Sequence, residues 1–248
     1  MLPRHNDAVG SQVALILTST LRPHAGVAVK VNSERLRAVQ YLETLRWWKR
    51  NSPWPILFAD NSGSSLLNEL RFEGGEDCVV IAVEPPPEDL AATRGKGLAE
   101  AFMLREAMTR LDPKFTAIVK VTGRLTVRNI GRCLASMDGR FVTCKISPDL
   151  TFSDSRVFAG DRESLRYLVN RVIDGADDES GRYFEHELAA GALSLISGGV
   201  PFRAFHRLPS VRGVSGTSGN AYGGAFHEAA RLAHDGVRRF VSWRHLSL

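Results

Sequence analysis

Four short runs are apolar on consecutive residues: Val13 to Thr18 (V-A-L-I-L-T), Pro55 to Ala59 (P-I-L-F-A), Cys78 to Val83 (C-V-V-I-A-V) and Thr116 to Val121 (T-A-I-V-K-V). A half-exposed strand alternates apolar with polar residues, whereas one covered on both faces does not. These runs therefore predict strands of a mostly parallel sheet packed between helices, an α/β fold. After the first run, Asn32 or Ser33 can cap a helix in which Ala38, Tyr41, Leu42, Leu45 and Trp48 form a one-sided stripe, until Pro53 and Pro55 stop it. After the third, Ala91 to Gly97 (A-A-T-R-G-K-G) opens a helix with Leu98, Ala101, Leu104, Met108 and Leu111 on one face. The second half reads as mixed. Strands are expected over Phe141 to Ile146, Ser155 to Phe158 and Phe202 to Phe205, and helices over Asp161 to Ile173, Glu179 to Ile196 and Ala225 to Trp243. Gly213 to Gly224 holds five glycines and reads as a loop. Residues 1–11 read as a flexible tail and 12–248 as one domain, with a donor half to about residue 146 and an acceptor half from about 147.

The fourth run contains Lys120 and is followed at once by Thr122-Gly123-Arg124. In open α/β sheets, ligands bind outside the carboxyl ends of the strands. The first strand delivers Thr18, Ser19, Thr20 and Arg22 there; the second delivers Asp60, Asn61, Ser62 and Gly63; the helix after the third opens on Arg94, Gly95, Lys96 and Gly97. Donors, cations and glycines at four strand ends suit a diphosphate and a ribose. Amides at a helix start face an anion, glycine lets the backbone approach closely, and Arg and Lys make charge-assisted bonds to phosphate. Asp60 is placed to accept from a base or ribose. Each residue alone has a plainer reading: a turn, a solvated loop, a lysine reaching outward.

The net charge of +5 over 248 residues favours an anionic partner, be it nucleotide, nucleic acid or membrane surface. No G-x-x-x-x-G-K-[ST] occurs, and no G-x-G-x-x-G follows the first strand, which argues against P-loop and dinucleotide-binding chemistry. H-E-x-x-H is absent and the seven histidines are scattered, so no metal site is expected. Cys78, Cys133 and Cys144 are odd in number and far apart, which suits reduced thiols in a cytoplasmic protein. No apolar stretch is long enough to span a membrane, and no secretion signal is expected at the start.

T-S-T-L-R-P near the start, D-N-S-G after the second strand, R-G-K-G-L-A-E-A, V-K-V-T-G-R and R-Y-F-E-H-E-L-A resemble, in this order, a group of bacterial GT-A-type glycosyltransferases of capsule, lipopolysaccharide and other surface-glycan synthesis. The resemblance spans about Val13 to Tyr222. It implies a GT-A-like sheet, a nucleotide-sugar donor bound by the first half, and a glycan or lipid-linked acceptor met by the second. Most enzymes of that type carry Asp-x-Asp at the end of the fourth strand to hold a divalent metal; here Lys120 to Arg124 stand in that place without a carboxylate. The expectation is a metal-free clamp in which Lys120 and Arg124 stabilise the leaving phosphate, with no cofactor beyond the donor itself.

For the acceptor hydroxyl a general base is needed, and Glu185, then His186, are the candidates; an exposed helical pair is the plainer reading. Val211 to Tyr222 is expected to form a lid, with Arg212 and Ser215 reaching the donor phosphates. The basic, aromatic tail from Arg231 to Trp243 suits peripheral contact with an anionic membrane as well as it suits a core-closing helix. Three rivals remain: a sugar nucleotidylyltransferase, although S-T-L-R-P lacks the glycine loop such an enzyme wants; a non-catalytic nucleotide- or nucleic-acid-binding domain; and an inactive fold of the glycosyltransferase type serving as a scaffold. The second is disfavoured because the cations sit at strand ends and form no basic stripe.

Overall fold

The computed structural model describes residues 12–22, 33–134, 136–214, 219 and 221–222. Six strands form the central sheet: β1 (Gln12–Ser19), β2 (Ile56–Asp60), β3 (Cys78–Ala82), β4 (Phe115–Thr122), β6 (Val142–Thr143) and β7 (Val157–Asp161). Their order is β3-β2-β1-β4-β7-β6. The first four run parallel, β7 is antiparallel to β4, and β6 is antiparallel to β7. The mostly parallel sheet expected from the continuous apolar runs is present. Alternate residues of one strand feed two cores. Leu15 and Leu17 pack with Tyr41, Leu45 and Trp48 of helix α1 (Glu34–Asn51), whereas Ala14 and Ile16 pack with helices α3 (Glu88–Arg110), α5 (Arg162–Gly175) and α6 (Phe184–Ser197) on the opposite face.

Chain order and strand order together locate the site. From β1 the chain steps outward to β2 and β3, then returns across the sheet to place β4 on the other side of β1. The crevice between the carboxyl ends of β1 and β4 is thus the topological switch point, where such sheets bind ligands. Directly after β4, strand β5 (Leu125–Val127) leaves the main sheet and pairs with β8 (Val211–Val214), which pairs with β9 (Ala221–Tyr222). The glycine-rich stretch read as a loop lid is in its described part a β-ribbon beside β4; Ser215 lies outside the described residues, as does the tail from Ala225 to Trp243.

Other expectations are corrected locally. The structure adds helix α2 (Leu67–Gly74), which buries only Leu67, Leu70 and Gly74 and leaves Phe72 92% exposed, so its sequence carries no stripe. Helix α3 starts at Glu88, before the Ala91–Gly97 segment read as its opening loop, and breaks at Gly95, whose φ of 80° and ψ of −170° are not helical. Helix α6 begins at Phe184, because Asp177 to Arg182 first close a turn through Gly181 at φ 77°. Asp161 ends β7 and also caps α5, its Oδ1 accepting from the amides of Glu163 and Ser164 at 3.1 Å each. A short helix, α4 (Ile130–Cys133), follows β5. Phe202 makes only a single bridge to Val142.

Candidate functional site

The strand-end residues of β1 and β2 bond chiefly to one another. Asp60 is 1% exposed and accepts from Ser19 Oγ (2.7 Å), the Leu21 amide (2.9 Å), the Ser62 amide (2.9 Å) and Ser62 Oγ (2.5 Å). Those four donors engage both of its oxygens, so Asp60 ties two loops together and is not placed to receive a base or ribose. Asn61 accepts from Thr20 Oγ1 at 2.8 Å and donates to the Ala99 carbonyl at 3.2 Å. Arg22 pairs with Glu34 at 3.1 Å on the surface.

Lys120, the cation that interrupts the fourth apolar run, is 1% exposed. Its Nζ lies 2.6 Å from Glu100 Oε1 and donates to the Ser155 carbonyl (2.7 Å) and Thr122 Oγ1 (3.2 Å). The rings of Phe158 and Phe184 flank it at 5.4 and 6.0 Å. Thr18 Oγ1 donates to the same Glu100 oxygen at 2.9 Å. Burial pushes the Glu100 carboxyl upward, but Lys120, Thr18 and Arg124 outweigh it and hold the group below the usual glutamate range. This corrects the Lys120 half of the expected clamp: the ammonium is committed to Glu100. Sequence reading missed Glu100, which looked like one more polar residue on α3; a lysine inside a buried strand was the sign that a carboxylate had to meet it.

The glycine-rich helix start is occupied too. The Lys96 amide donates to Asp178 Oδ2 at 3.0 Å. A side chain on Gly95 would collide with Asp178, and one on Gly97 would press on the Phe184 backbone at 3.2 Å. Arg94 donates to the carbonyls of Ala176 (2.9 Å) and Ile173 (2.7 Å), which closes the end of α5. Arg94, Gly95, Lys96 and Gly97 thus join α3 to the loop before α6. Burial raises the Asp178 carboxyl above its ordinary value, against the opposing pull of Lys96 and of the Gly97 and Lys96 amides.

At the end of β4 the backbone is pinned and one side chain is not. Thr122 N–H donates to Arg156 O (3.0 Å), Gly123 N–H to Thr18 O (2.8 Å), Thr44 Oγ1 to Gly123 O (2.6 Å) and Trp48 Nε1 to Leu125 O (2.9 Å). A Cβ on Gly123 would stand 2.8 Å from Thr18 O, so only glycine lets β1 and this turn meet. Arg124 follows, with a buried Nη1 that has no hydrogen-bond partner among the described residues. Arg212 Nε is buried and unpartnered in the same way. Arg212 faces Thr126 across the β5–β8 ladder, two residues along from Arg124. Buried guanidinium nitrogens are normally bonded; these two lie on neighbouring segments beside the switch point.

A cleft of about 1090 Å³ is lined by Ser155, whose carbonyl Lys120 holds. Glu185 lines it, its Oε1 accepting from Ser155 Oγ at 2.6 Å, and Oε2 has no partner among the described residues. Asp154 and Arg156 form a two-point pair at 2.8 and 2.5 Å, and Arg156 lies over the Tyr222 ring at 4.7 Å. Burial pushes the Asp154 carboxyl up, and Arg156 and Lys145 more than reverse this, leaving it low. Asp154 holds the Arg156 guanidinium correspondingly high, against burial. His186 is used otherwise: its Nδ1 accepts from the Tyr183 amide at 3.1 Å, capping α6, while its ring stacks on Tyr183. Glu185 and Lys120, 65 positions apart in the sequence, are thus joined through one residue, Ser155.

No protein-family model matches the sequence, and no curated protein matches it. Among solved structures, the fold is similar to a protein assigned as a nucleotide-diphospho-sugar transferase from Desulfovibrio desulfuricans, at TM-score 0.50 and 10% identity over 78% of this chain and 79% of that one. It also aligns with the galactosyltransferase LgtC at TM-score 0.43 and 9% identity, covering 73% of this chain and 70% of that one. With a 4-diphosphocytidyl-2C-methyl-D-erythritol synthase from Anaerococcus prevotii the values are 0.42 and 12%, over 79% and 86%. The architecture is GT-A-like; at these identities the likeness concerns the fold alone. Among the described residues no group of three metal-ligating side chains comes together, and no helix is long and apolar enough to cross a membrane.

Proposed function

We propose that this chain is a glycosyltransferase that takes a sugar from a nucleotide-sugar donor at the switch point and passes it to an acceptor in the 1090 Å³ cleft. The observation that carries the reading is the continuous polar chain between the two places. Thr18 and Lys120 share Glu100, Lys120 holds the Ser155 carbonyl, and the Ser155 hydroxyl holds Glu185. On this reading Arg124 and Arg212 clamp the donor phosphates with the nitrogens that now lack partners, which keeps the clamp idea and moves its second member from Lys120 to Arg212. Lys120 keeps Glu100 and Ser155 in place behind them.

The chemistry follows from those positions. Oε2 of Glu185 takes the proton of the acceptor hydroxyl as its oxygen bonds to the sugar's anomeric carbon. The bond from that carbon to the phosphate oxygen breaks, its electron pair leaves with the phosphate, and the two guanidiniums stabilise the charge that builds there. Resemblance to enzymes of bacterial surface glycans points to a glycan or lipid-linked acceptor and to work at the cytoplasmic side of a membrane.

A thermal-shift panel of nucleoside mono- and diphosphates and nucleotide sugars, each with EDTA and with Mn²⁺, tests the reading. One base should raise the melting temperature in EDTA; a ligand at a hundredfold its Kd adds about 2.7 kcal/mol. No shift from any nucleotide with either addition would contradict it. Glu185→Gln should lower turnover by about a hundredfold or more with donor affinity kept; unchanged turnover would remove Glu185 from the chemistry.

A further inference from the structure

Helices α3 and α5 lie side by side on the face of the sheet away from α1. On α3, Arg105, Met108 and Thr109 stand at i, i+3 and i+4; on α5, Arg162, Arg166 and Val169 stand at i, i+4 and i+7. Such spacings put each set on one helix face. The two faces enclose a cavity of about 270 Å³, with the buried Met108 and Val169 as its apolar floor. Three guanidiniums line this space, and Glu163 is the one carboxylate among its described lining residues.

The three arginines are not equivalent. Arg162 donates to the carbonyls of Phe115 (3.1 Å), Met108 (2.8 Å), Leu111 (3.2 Å) and Asp112 (2.7 Å), which closes the end of α3 and the turn into β4. Those bonds use its donors but bring no full opposite charge. Burial pulls the Arg162 guanidinium below its ordinary range, and Asp112 does not make up the difference. Arg105 and Arg166 have no ion-pair partner among the described residues. Arg105 lays one face on the Phe102 ring at 4.5 Å, which leaves its N–H edge for another group. The seam between α1 and α2 is built the other way: there Arg35 and Arg46 meet Glu69 and Glu73.

Guanidinium edges above an apolar floor suit an oxyanion on a small hydrocarbon body. The forked N–H groups match carboxylate or phosphate oxygens, and the floor takes the ring or chain. The volume lies just under the roughly 300 Å³ at which sites for drug-sized ligands begin, which fits a ligand smaller than a nucleotide sugar. The place is also separate. Arg162 follows Asp161, which pairs with Ala117 near the start of β4, whereas the switch point lies at the other end of that strand.

We infer that this cavity is a second ligand site, which takes a small amphipathic oxyanion: Arg105 and Arg166 hold its charged oxygens and Met108 and Val169 its apolar body. The inference stands apart from the transfer reading and does not depend on it.

Titration followed by NMR of isotope-labelled methionine methyl groups tests it on the full chain. Benzoate and phenyl phosphate are the probes; benzyl alcohol and inorganic phosphate are the controls. At least one probe should move the Met108 signal and leave in place that of Met137, which packs in the opposite core. Its affinity should exceed that of both controls by about tenfold or more, since the buried ring and the charge-assisted bonds each contribute that much. The double variant Arg105→Gln/Arg166→Gln should weaken this binding by about tenfold or more at an unchanged melting temperature, because neither side chain carries an ion pair. Arg124→Ala/Arg212→Ala should bind the probe as the parent chain does. An unmoved Met108 signal with both probes, or a control that binds as tightly as the probes, would overturn the inference. So would affinity kept in the Arg105/Arg166 variant, or lost in the Arg124/Arg212 one.

Discussion

Two regions present positive charge at the same end of the sheet, and the chain treats them in opposite ways. At Gly95 to Gly97 the amides of a helix start are exposed by a glycine break, and Asp178 fills the place an anion would take. Arg124 and Arg212 stand on the segments that follow and flank the end of β4, each with a buried nitrogen that has no partner among the described residues. Both read alike in sequence, as cations and glycines near a strand end. The difference is whether the fold supplies its own carboxylate. Where it does, as with Asp178 and with Glu100 beside Lys120, the charge is used inside the fold; where a guanidinium nitrogen has no such partner, the reading proposed above assigns it to a ligand.

The largest effect that would sharpen this contrast concerns stability. Lys120→Met leaves Glu100, whose side chain is 27% exposed, without its ammonium, and should cost about 2 kcal/mol, below the range for breaking a fully buried pair. Urea denaturation reads it. A loss well under 1 kcal/mol would mean that Lys120 is not the structural cation described here. The next effect is on ligand affinity. Arg124→Ala should weaken nucleoside diphosphate binding by about tenfold or more, as expected for a lost charge-assisted bond, and Lys96→Ala should change it little. Equal losses in the two variants, measured by calorimetry, would erase the distinction between the regions.

The smallest effect is in pH dependence, and here the two satisfied carboxylates should move in opposite directions. Glu100 is held below its ordinary value of 4.5, so its contribution is present above pH 4.5 and is lost as pH falls through the folded value. Asp178 is raised above its ordinary 3.8, so its contribution is greatest below that value and is lost as pH rises through the folded one. Relative to its amide variant, the parent chain should therefore gain stability with rising pH at Glu100 and lose it at Asp178. Parallel curves would contradict the assigned environments.

How far the sequence discloses this arrangement depends on how local each cause is. The parallel strands are legible because burial on both faces leaves continuous apolar runs, and Ser33 is legible as a cap because its hydroxyl accepts from the Leu36 amide three residues on. Helix α2 is not, since its few buried residues make no stripe. The placement of Glu185 near Lys120 needs the antiparallel return of β7, which brings Ser155 to the end of β4. The expectations for Asp60 and Arg94 share one blind spot: Ser62 beside Asp60 is local, but Ser19 and Leu21 for Asp60 and Ala176 and Ile173 for Arg94 lie 39 to 82 positions away in the chain. A polar residue at a strand end looks the same in sequence whether it faces a ligand or another loop.

The most direct test of the central claim is calorimetric titration, in EDTA, of the nucleoside diphosphate chosen by the thermal-shift panel, comparing the parent chain with the Arg124→Ala/Arg212→Ala double variant. The account predicts that binding in the parent chain is lost in the variant while the fold is kept, with at most a small loss of stability from Arg124's attraction to Glu100. Equal affinity in the two proteins would contradict it, and would return the phosphate site to the strand-end loops that now bond to each other.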